Sequence, residues 1–174
     1  LAHAHRMNEM FAVLFLDVDR FKGINDALGH TMGDLLLREV ADRLKSCVRD
    51  QDTVARLAGD EFTLLVLGIT QEEHVIDIAC KILGAFKQSW MISKHELYIT
   101  ASIGIALYPT NGEDAETLLK NADTAMYYAK EQGRNNYQFY TPAMHTKSLE
   151  KMILESNLRR ALDHEQFVVY YQPL

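Results

Sequence analysis

Three carboxylates at the ends of apolar runs are the residues of this sequence best suited to chemistry. Asp17 closes an apolar run that starts at Phe11, and Asp60 and Glu61 lie on a turn of small residues between two further apolar runs. If these runs are neighbouring strands, the three carboxylates converge. Converging carboxylates repel one another, so such a site normally holds a hard divalent cation, and Mg²⁺ prefers one or two carboxylates together with substrate phosphates. The pattern therefore indicates chemistry on a nucleotide.

The composition is that of an ordinary globular protein with an acidic surface. The chain has 174 residues, 48% apolar and 24% charged, and a formal net charge of −6, which allows one well-buried domain and a remainder. An acidic chain is poorly suited to nucleic acid, and no apolar run is long enough to span a membrane. Cys47 and Cys80 match no metal or redox spacing. We expect both to be buried thiols of a reducing compartment, which favours the cytoplasm.

The hydrophobic periodicity predicts an α+β domain with a mixed, mostly antiparallel central sheet flanked by helices. Strands are predicted at 11–17, 54–57, 62–67, 98–107 (broken by Gly104) and 136–140. Helices are predicted at 33–48, 75–86 and 118–129, with a short helical or looped segment at 21–29. Because strands and helices alternate irregularly around one hairpin, a doubly wound parallel sheet fits less well.

The end of the chain has a different pattern. Pro142 opens a long helix with apolar residues on one side, and 167–171 is a strand-like apolar run without a predicted partner. We therefore expect a domain over 1–140, truncated at its N-terminal edge, and a linker helix over 141–165. Residues 166–174 would be the first strand of a second, truncated domain.

Four motifs in order resemble the GGDEF, or diguanylate cyclase, domain. They are DVDRFKGINDALGH at 17–30, GD at 33–34, GDEF at 59–62 and AKEQGRN at 129–135. Four motifs in the right order are far more specific than any one of them. The resemblance implies a palm-like nucleotidyl cyclase fold with a ferredoxin-like core. The tail LESNLRRALDHEQFVVYYQP at 154–173 resembles the entrance to an EAL phosphodiesterase domain, so the parent would be a tandem GGDEF–EAL protein.

The resemblance implies that two GTP molecules are joined into cyclic di-GMP with release of two pyrophosphates. Each monomer of a homodimer would hold one GTP, with Mg²⁺, or Mn²⁺ as the other candidate, bridging the phosphates. Asp17, Asp60 and the Val18 carbonyl would bind the metal; Asp60 would accept the 3′-hydroxyl proton and Glu61 would assist. In isolation Asp17 or Asp60 would be read as a solvated turn residue, but the pair in this context favours the metal site.

The resemblance also assigns the guanine contacts. Asn25 and Asp34 would read the guanine edge, and His30 lies on the same loop. An amide and a carboxylate suit the O6 acceptor and the N1–H and N2–H donors of guanine. The alternative for Asp34 is a helix N-cap, and both roles can coexist.

Four further residues would hold the triphosphate. Lys130 and Arg134 would bind phosphate oxygens, and Lys22 together with the backbone amides around Phe21 would cradle the same groups. The alternative for Lys130 and Arg134 is a charge at a helix C-terminus that complements the helix dipole.

Arg49 and Asp52 form an Arg-x-x-Asp tetrad just before the hairpin. The tetrad has the spacing of the family's inhibitory product site, where the two side chains would bind cyclic di-GMP. The alternative is a surface ion pair of little energetic value.

Ala58 stands where the family usually has its first glycine. Glycine there permits positive φ and a close approach of the nucleotide. If the φ of Ala58 is ordinary, its methyl group is a mild perturbation, and if φ is positive, strain of about 1 kcal/mol is expected. Since Gly59, Asp60 and Glu61 are intact, an active enzyme is favoured.

Two other functions compete with the cyclase. One is a catalytically weak module that binds GTP or cyclic di-GMP and controls an attached EAL phosphodiesterase. The other is a dimerisation domain with vestigial motifs. The retained Asp17, Asp60, Asn25 and Asp34 disfavour the vestige, which would have little need for them.

Overall fold

A five-stranded β-sheet with helices on both faces forms the first of two parts of the chain. The computed structural model of the protein describes residues 4, 6 and 9–172, without the side chains of 147–152 and 155. The chain divides into the units Leu1–Tyr140 and Thr141–Leu174.

The elements of the first unit follow in mixed order. They are β1 (Met10–Val18), α1 (Phe21–Leu28), α2 (His30–Cys47), β2 (Thr53–Ala58), β3 (Glu61–Ile69), α3 (Glu72–Phe86), β4 (Trp90–Ile92), β5 (His95–Leu97), β6 (Ala101–Tyr108), α4 (Ala115–Glu131) and β7 (Tyr137–Phe139). The sheet order is β2-β3-β1-β6-β7, with a separate β4-β5 hairpin. Only the β6–β7 pair of the large sheet is parallel. The predicted α+β class with a mixed, mostly antiparallel sheet is confirmed.

Strand β1 is the centre of the sheet. It pairs with β3 on one side and with β6 on the other, and every residue after Met10 is buried. Side chains that point to one face, such as Leu14 and Leu16, join the core beneath α2 and α3. Those on the other face, such as Phe11 and Val13, pack with α4. Each fully buried Leu or Phe contributes about 1.5–3 kcal/mol, so β1 is anchored from both sides.

Gly104 allows α4 to lie directly on the sheet. A Cβ at this position would overlap the Ala122 carbonyl oxygen and the Met126 amide, and would lie 2.8 Å from the Ala125 carbonyl carbon. The prediction that Gly104 breaks its strand is wrong, because Gly104 pairs with both Phe15 and Gln138 in a continuous β6. The glycine serves helix packing rather than a strand break.

Three details of the sequence prediction are wrong. Helix α2 already begins at His30 after its N-cap Gly29 (φ 83°), so Asp34 lies inside the helix and is not its cap. The β4–β5 hairpin was missed because its three-residue strands turn through Ser93, a non-glycine residue at φ 56°, which gives no turn signal in the sequence. Cys80 is exposed, whereas Cys47 is buried as expected.

The second unit contains helix α5 (Pro142–Asp163), which begins with a proline in its first turn. Residues 166–172 form neither helix nor strand, and the side chains of 167–171 are 57–94% exposed. A strand needs a neighbouring strand to pair with its backbone hydrogen-bonding groups. The structure describes no such neighbour for this segment, which accounts for its irregular backbone. The assignment of 166–174 to a second domain, and the other domain boundaries, stay predictions. No helix among the described residues is long and apolar enough to cross a membrane.

Candidate functional site

The three carboxylates of Asp17, Asp60 and Glu61 lie where β1 ends and β3 begins. Asp17, the penultimate residue of β1, lies opposite Glu61, the first residue of β3. The Val18 amide donates to the carbonyl oxygen of Asp60 on the β2–β3 turn, at 3.3 Å. Asp60 and Glu61 are half-buried, whereas Asp17 and Val18 are buried. The structure thus brings together the three carboxylates that the sequence places at neighbouring strand ends.

The hairpin turn accommodates Ala58 without backbone strain. Ala58 pairs with Glu61, and it is not among the described non-glycine residues with positive φ. The positive φ of the turn falls on Gly59, at 51°, where glycine carries no steric penalty. The Arg56 Nε donates to the Gly59 carbonyl at 2.8 Å and holds the turn in place. Of the two alternatives considered for Ala58, ordinary and positive φ, the structure has the ordinary one, so its methyl group is a mild perturbation.

Lys130 at the end of α4 neutralises part of the negative charge. Its Nζ lies 2.8 Å from the Asp17 Oδ2, and the two side chains are 25% and 9% exposed. Burial raises the pKa of Asp17, the Lys130 ammonium opposes that shift, and Asp60 and Asp19 add to it by repulsion. Lys130 pairs with Asp17 and Arg134 approaches Asp19, so the excess of negative charge near Asp17 and Asp60 is one that a further cation would relieve.

The donor set suits a hard cation only if other ligands complete it. Among the described residues, no three His, Cys, Asp or Glu side chains are grouped so that they could hold a metal ion. Asp17 and Asp60 offer carboxylate oxygens as ligands. This is the sparse oxygen set with which Mg²⁺ binds through waters and substrate phosphates.

Asn25 lies against the backbone of α2 at Gly33. A Cβ at Gly33 would overlap the Asn25 Oδ1 and would lie 3.0 Å from the Phe21 Cζ. The Asn25 Oδ1 is buried and has no hydrogen-bond partner. An unsatisfied buried acceptor costs about 1–3 kcal/mol, and such groups call for a specific explanation. Gly33 makes room for this side chain, and because the oxygen is closed to solvent, the side chain would have to turn before a ligand donor could reach it.

The other residues predicted to contact GTP lie on the surface. Lys22, His30, Asp34 and Arg134 are exposed. No hydrogen bond or ion pair is found for the side chains of Lys22, His30 and Asp34 within the described part of the chain. The structure therefore does not tie these three to the acidic centre, whereas Arg134 approaches it through Asp19.

Asp19 is a site residue that the sequence analysis did not assign. Its carboxylate accepts hydrogen bonds from the Thr100 Oγ1 (2.6 Å), the Ser102 Oγ (2.7 Å) and the Asn135 amide (3.2 Å). Arg134 and Asn135 have φ of 64° and 51°, a conformation that costs about 1–2 kcal/mol per non-glycine residue. The sequence carries no local signal for this role, because Asp19 lies in the turn after β1 and its partners are distant in sequence.

Arg49 and Asp52 lie at the opposite end of β2 from the hairpin turn. The Asp52 carboxylate accepts from the amides of Arg49 and Leu67, each at 3.0 Å. The Arg49 side chain is exposed, and no ion pair joins it to Asp52 among the described residues. The surface ion pair that was the alternative reading is therefore wrong. Both residues line a shallow depression of about 350 Å³.

Comparison with known proteins identifies the family. The model of the "Diguanylate cyclase, GGDEF domain" family matches residues 1–136. The chain belongs to the GGDEF family. It is 49% identical over 173 residues to the bifunctional diguanylate cyclase/cyclic di-GMP phosphodiesterase MucR of Pseudomonas aeruginosa, covering 99% of this chain and 25% of MucR. It is 42% identical over 163 residues to the cyclic di-GMP phosphodiesterase NbdA of the same species, covering 94% of this chain and 21% of NbdA.

Solved structures show the same GGDEF fold. An EAL/GGDEF domain protein from M. capsulatus is 50% identical with a TM-score of 0.75, covering 79% of this chain and 88% of that one. The GGDEF domain of TpbB (YfiN) from Pseudomonas aeruginosa is 37% identical with a TM-score of 0.82, covering 85% and 87%. The GGDEF domain of DgcB from Caulobacter crescentus, in complex with c-di-GMP, is 27% identical with a TM-score of 0.72, covering 79% and 80%. The chain spans about a quarter of the length of MucR and NbdA.

The packing of Asn25 on Gly33 leads to a stability prediction. Gly33→Ala should leave the protein about 1 kcal/mol less stable than Gly84→Ala does, because at Gly33 the new methyl group displaces the Asn25 side chain and so offsets the gain in helix propensity. Urea unfolding measures the change. Gly84→Ala is the matched control, since nothing lies within 4 Å of a Cβ there and alanine is the better helix former by up to about 1 kcal/mol. If both substitutions are equally benign, Asn25 does not pack over Gly33.

Proposed function

We propose that this GGDEF domain is an active diguanylate cyclase that condenses two GTP molecules into cyclic di-GMP and two pyrophosphates. The observation that carries the proposal is the convergence of Asp17, Asp60 and Lys130 at one edge of the sheet, with a hairpin turn that Ala58 does not strain. Membership of the GGDEF family supports the same reaction. Since GTP is the substrate, we propose a cytoplasmic location.

A divalent cation is part of the proposal. Asp17, Asp60 and the Val18 carbonyl would hold Mg²⁺, with Mn²⁺ as the other candidate, because their hard oxygens suit such an ion and leave room for phosphates. When bound, the cation would neutralise charge on the transferring phosphate. Lys130 already lies 2.8 Å from Asp17, so its ammonium is placed to bind the phosphates beside the carboxylates.

Asp60 and Glu61, the two carboxylates at the β2–β3 turn, would act on the attacking 3′-hydroxyl of GTP. Asp60 is only half-buried, so its carboxylate can reach a ligand and accept the proton of the GTP 3′-hydroxyl. Glu61 is the neighbouring carboxylate and assists by stabilising the transferred proton. General-base assistance of this kind contributes typically about 10²–10⁴-fold.

The base and the remaining phosphate contacts come from α1 and α2. The amide of Asn25, a half-buried side chain, reads the guanine edge, and Asp34 and His30 supply further polar groups on α2. The exposed Lys22 and the backbone amides near Phe21, at the start of α1, face the phosphates. A helix N-terminus suits this task because its first amides lack intrahelical partners.

Turnover requires two copies of the domain, because each holds one GTP and the two must meet. The hairpin favours such a dimer, since Arg56, Leu57, Ala58 and Gly59 are all exposed. Leu57 is 53% exposed, an apolar group that a second copy can cover.

A second candidate function is a regulatory module that binds GTP or cyclic di-GMP without turnover and controls an attached EAL domain. The observation that favours it is the tail at 154–173 with its EAL-like pattern. The relative NbdA, named only as a phosphodiesterase, points the same way. Product formation separates the two functions.

Incubation with GTP and Mg²⁺, followed by chromatography, tests the cyclase. We expect cyclic di-GMP and its linear intermediate from the wild type, and at least about 100-fold less from Asp60→Asn, which lacks the proton acceptor. Asp42→Asn, which removes an exposed carboxylate of α2 that pairs with Lys45, should retain full activity. GTP binding without either product would refute the cyclase and leave the regulatory module.

Nucleotide selectivity tests the assignment of Asn25. GTP should bind roughly 100-fold or more better than ATP, because adenine leaves buried groups of the site without partners. Asn25→Ala should remove most of this preference. Calorimetry with both nucleotides measures it, and equal affinities in the wild type would defeat the assignment.

Product binding tests the depression at Arg49 and Asp52. Cyclic di-GMP should bind there, with the Arg49 guanidinium on a phosphate or guanine edge. Arg49→Ala should weaken cyclic di-GMP binding by about tenfold or more and leave GTP binding unchanged. Arg38→Ala, which removes an exposed arginine of α2, should change neither affinity. Unchanged cyclic di-GMP affinity in Arg49→Ala would remove the product from this depression.

A further inference from the structure

The buried carboxylate of Asp19 joins the end of β1 to the start of β6 and to the loop after α4. We infer that Asp19 is a positioning residue, which holds the loop 133–136 so that Arg134 meets the phosphates of GTP. The inference rests on the proposed function, since it concerns how the same site binds its substrate.

Asp19 is engaged on both oxygens and shielded from solvent. Its Oδ2 accepts from the Thr100 Oγ1 at 2.6 Å and from the Asn135 amide at 3.2 Å, and its Oδ1 accepts from the Ser102 Oγ at 2.7 Å. Its side chain is only 2% exposed. Although it follows Asp17 and Val18 in sequence, it therefore has a different task from a metal ligand that faces substrate.

The loop that Asp19 holds has an unusual backbone. Arg134 and Asn135 both have positive φ, a conformation that persists where the surroundings enforce it. On one side the loop is held by α4: the Arg134 amide donates to the Ala129 carbonyl at 3.2 Å, and the Asn136 Nδ2 donates to the same carbonyl at 2.8 Å. On the other side it is held by the bond from the Asn135 amide to Asp19.

Arg134 is oriented by Asp19, but its guanidinium remains available to a ligand. Its Nε lies 4.0 Å from the Asp19 Oδ1, and its side chain is 47% exposed. No other ion pair of Arg134 is found among the described residues. The guanidinium therefore keeps donors for an anion, while its stem starts from a backbone that Asp19 has set.

The charge of Asp19 and its positioning role have opposite expected effects on GTP affinity when Asp19 is removed. A carboxylate near a triphosphate repels it, so by Coulomb's law alone its removal would tighten GTP binding. If the carboxylate instead sets the position of Arg134, its removal weakens GTP binding. The sign of the change thus separates the two effects.

Calorimetric titration with GTP in Mg²⁺, on the folded protein, is the central experiment. Asp19→Ala should weaken GTP binding about tenfold, as should Arg134→Ala. The double variant should be no weaker than Arg134→Ala alone, because the two residues act through one contact. Asp19→Asn should restore most of the affinity, since an amide can accept from Thr100 and Asn135 and donate to the Ser102 hydroxyl.

A comparison of ligands and a control variant exclude a merely structural effect. Guanosine binding, measured by NMR, should be unchanged in Asp19→Ala, because the base contacts lie on α1 and α2. Asp114→Ala removes another carboxylate with several hydrogen bonds, the N-cap of α4, which accepts from the amide and hydroxyl of Thr117 at 2.8 and 2.6 Å. It should lower stability without changing GTP affinity.

The outcomes are distinguishable. If the wild type binds no GTP, or if Arg134→Ala binds it as well as the wild type does, the proposed phosphate site fails. If Arg134→Ala weakens binding but Asp19→Ala leaves it unchanged or tighter, or if guanosine and GTP weaken equally, the positioning role is refuted. Should Asp19→Ala not fold, Thr100→Val, which removes one donor to Asp19, should weaken GTP binding two- to threefold only when Arg134 is present. An equal effect in the Arg134→Ala background would overturn the inference.

Discussion

The antiparallel pairing of β1 with both β3 and β6 is the constraint on which the site depends. Because β1 pairs with a strand on each side and packs against helices on both faces, its last residues have little conformational freedom. Asp17 meets Glu61 across one ladder and Ser102 across the other. The Val18 amide binds the hairpin turn, and Asp19 accepts from residues at the start of β6. Three consecutive residues at the end of β1 thus make three different kinds of contact.

Electrostatic imbalance is the second organising feature. Burial raises the energy of the charged Asp17 carboxylate, and repulsion from Asp60 and Asp19 adds to that energy. Asp19 is compensated by hydrogen bonds from hydroxyl and amide groups, and Asp17 by Lys130. Under the proposed function Lys130 would also bind phosphate, so its ion pair with Asp17 would be exchanged for contacts with the substrate and its metal.

Much of the fold and the centre of the site could be predicted from sequence because they follow from local patterns. The apolar run ending at Asp17 and the small-residue turn at Gly59 both have strong local signals, and the structure has a strand and a hairpin turn there. The task of Asp19 depends on Thr100, Ser102 and Asn135, which are distant in sequence, so no local pattern reveals it. Asp34 resembled a cap because it precedes an apolar run, yet helix α2 already begins at His30.

The contact of α4 with Gly104 determines the spacing of the site's two halves. The carboxylates belong to the sheet, whereas Lys130 and the loop with Arg134 belong to the end of α4. The distance between them is therefore set by how closely one helix backbone can approach a strand where no side chain intervenes. Any larger residue at 104 would act as a spacer and lift both cationic groups away together. The spacing between the carboxylates and the two cationic groups is thus governed by an absent methyl group in the sheet, at a position with no chemistry of its own.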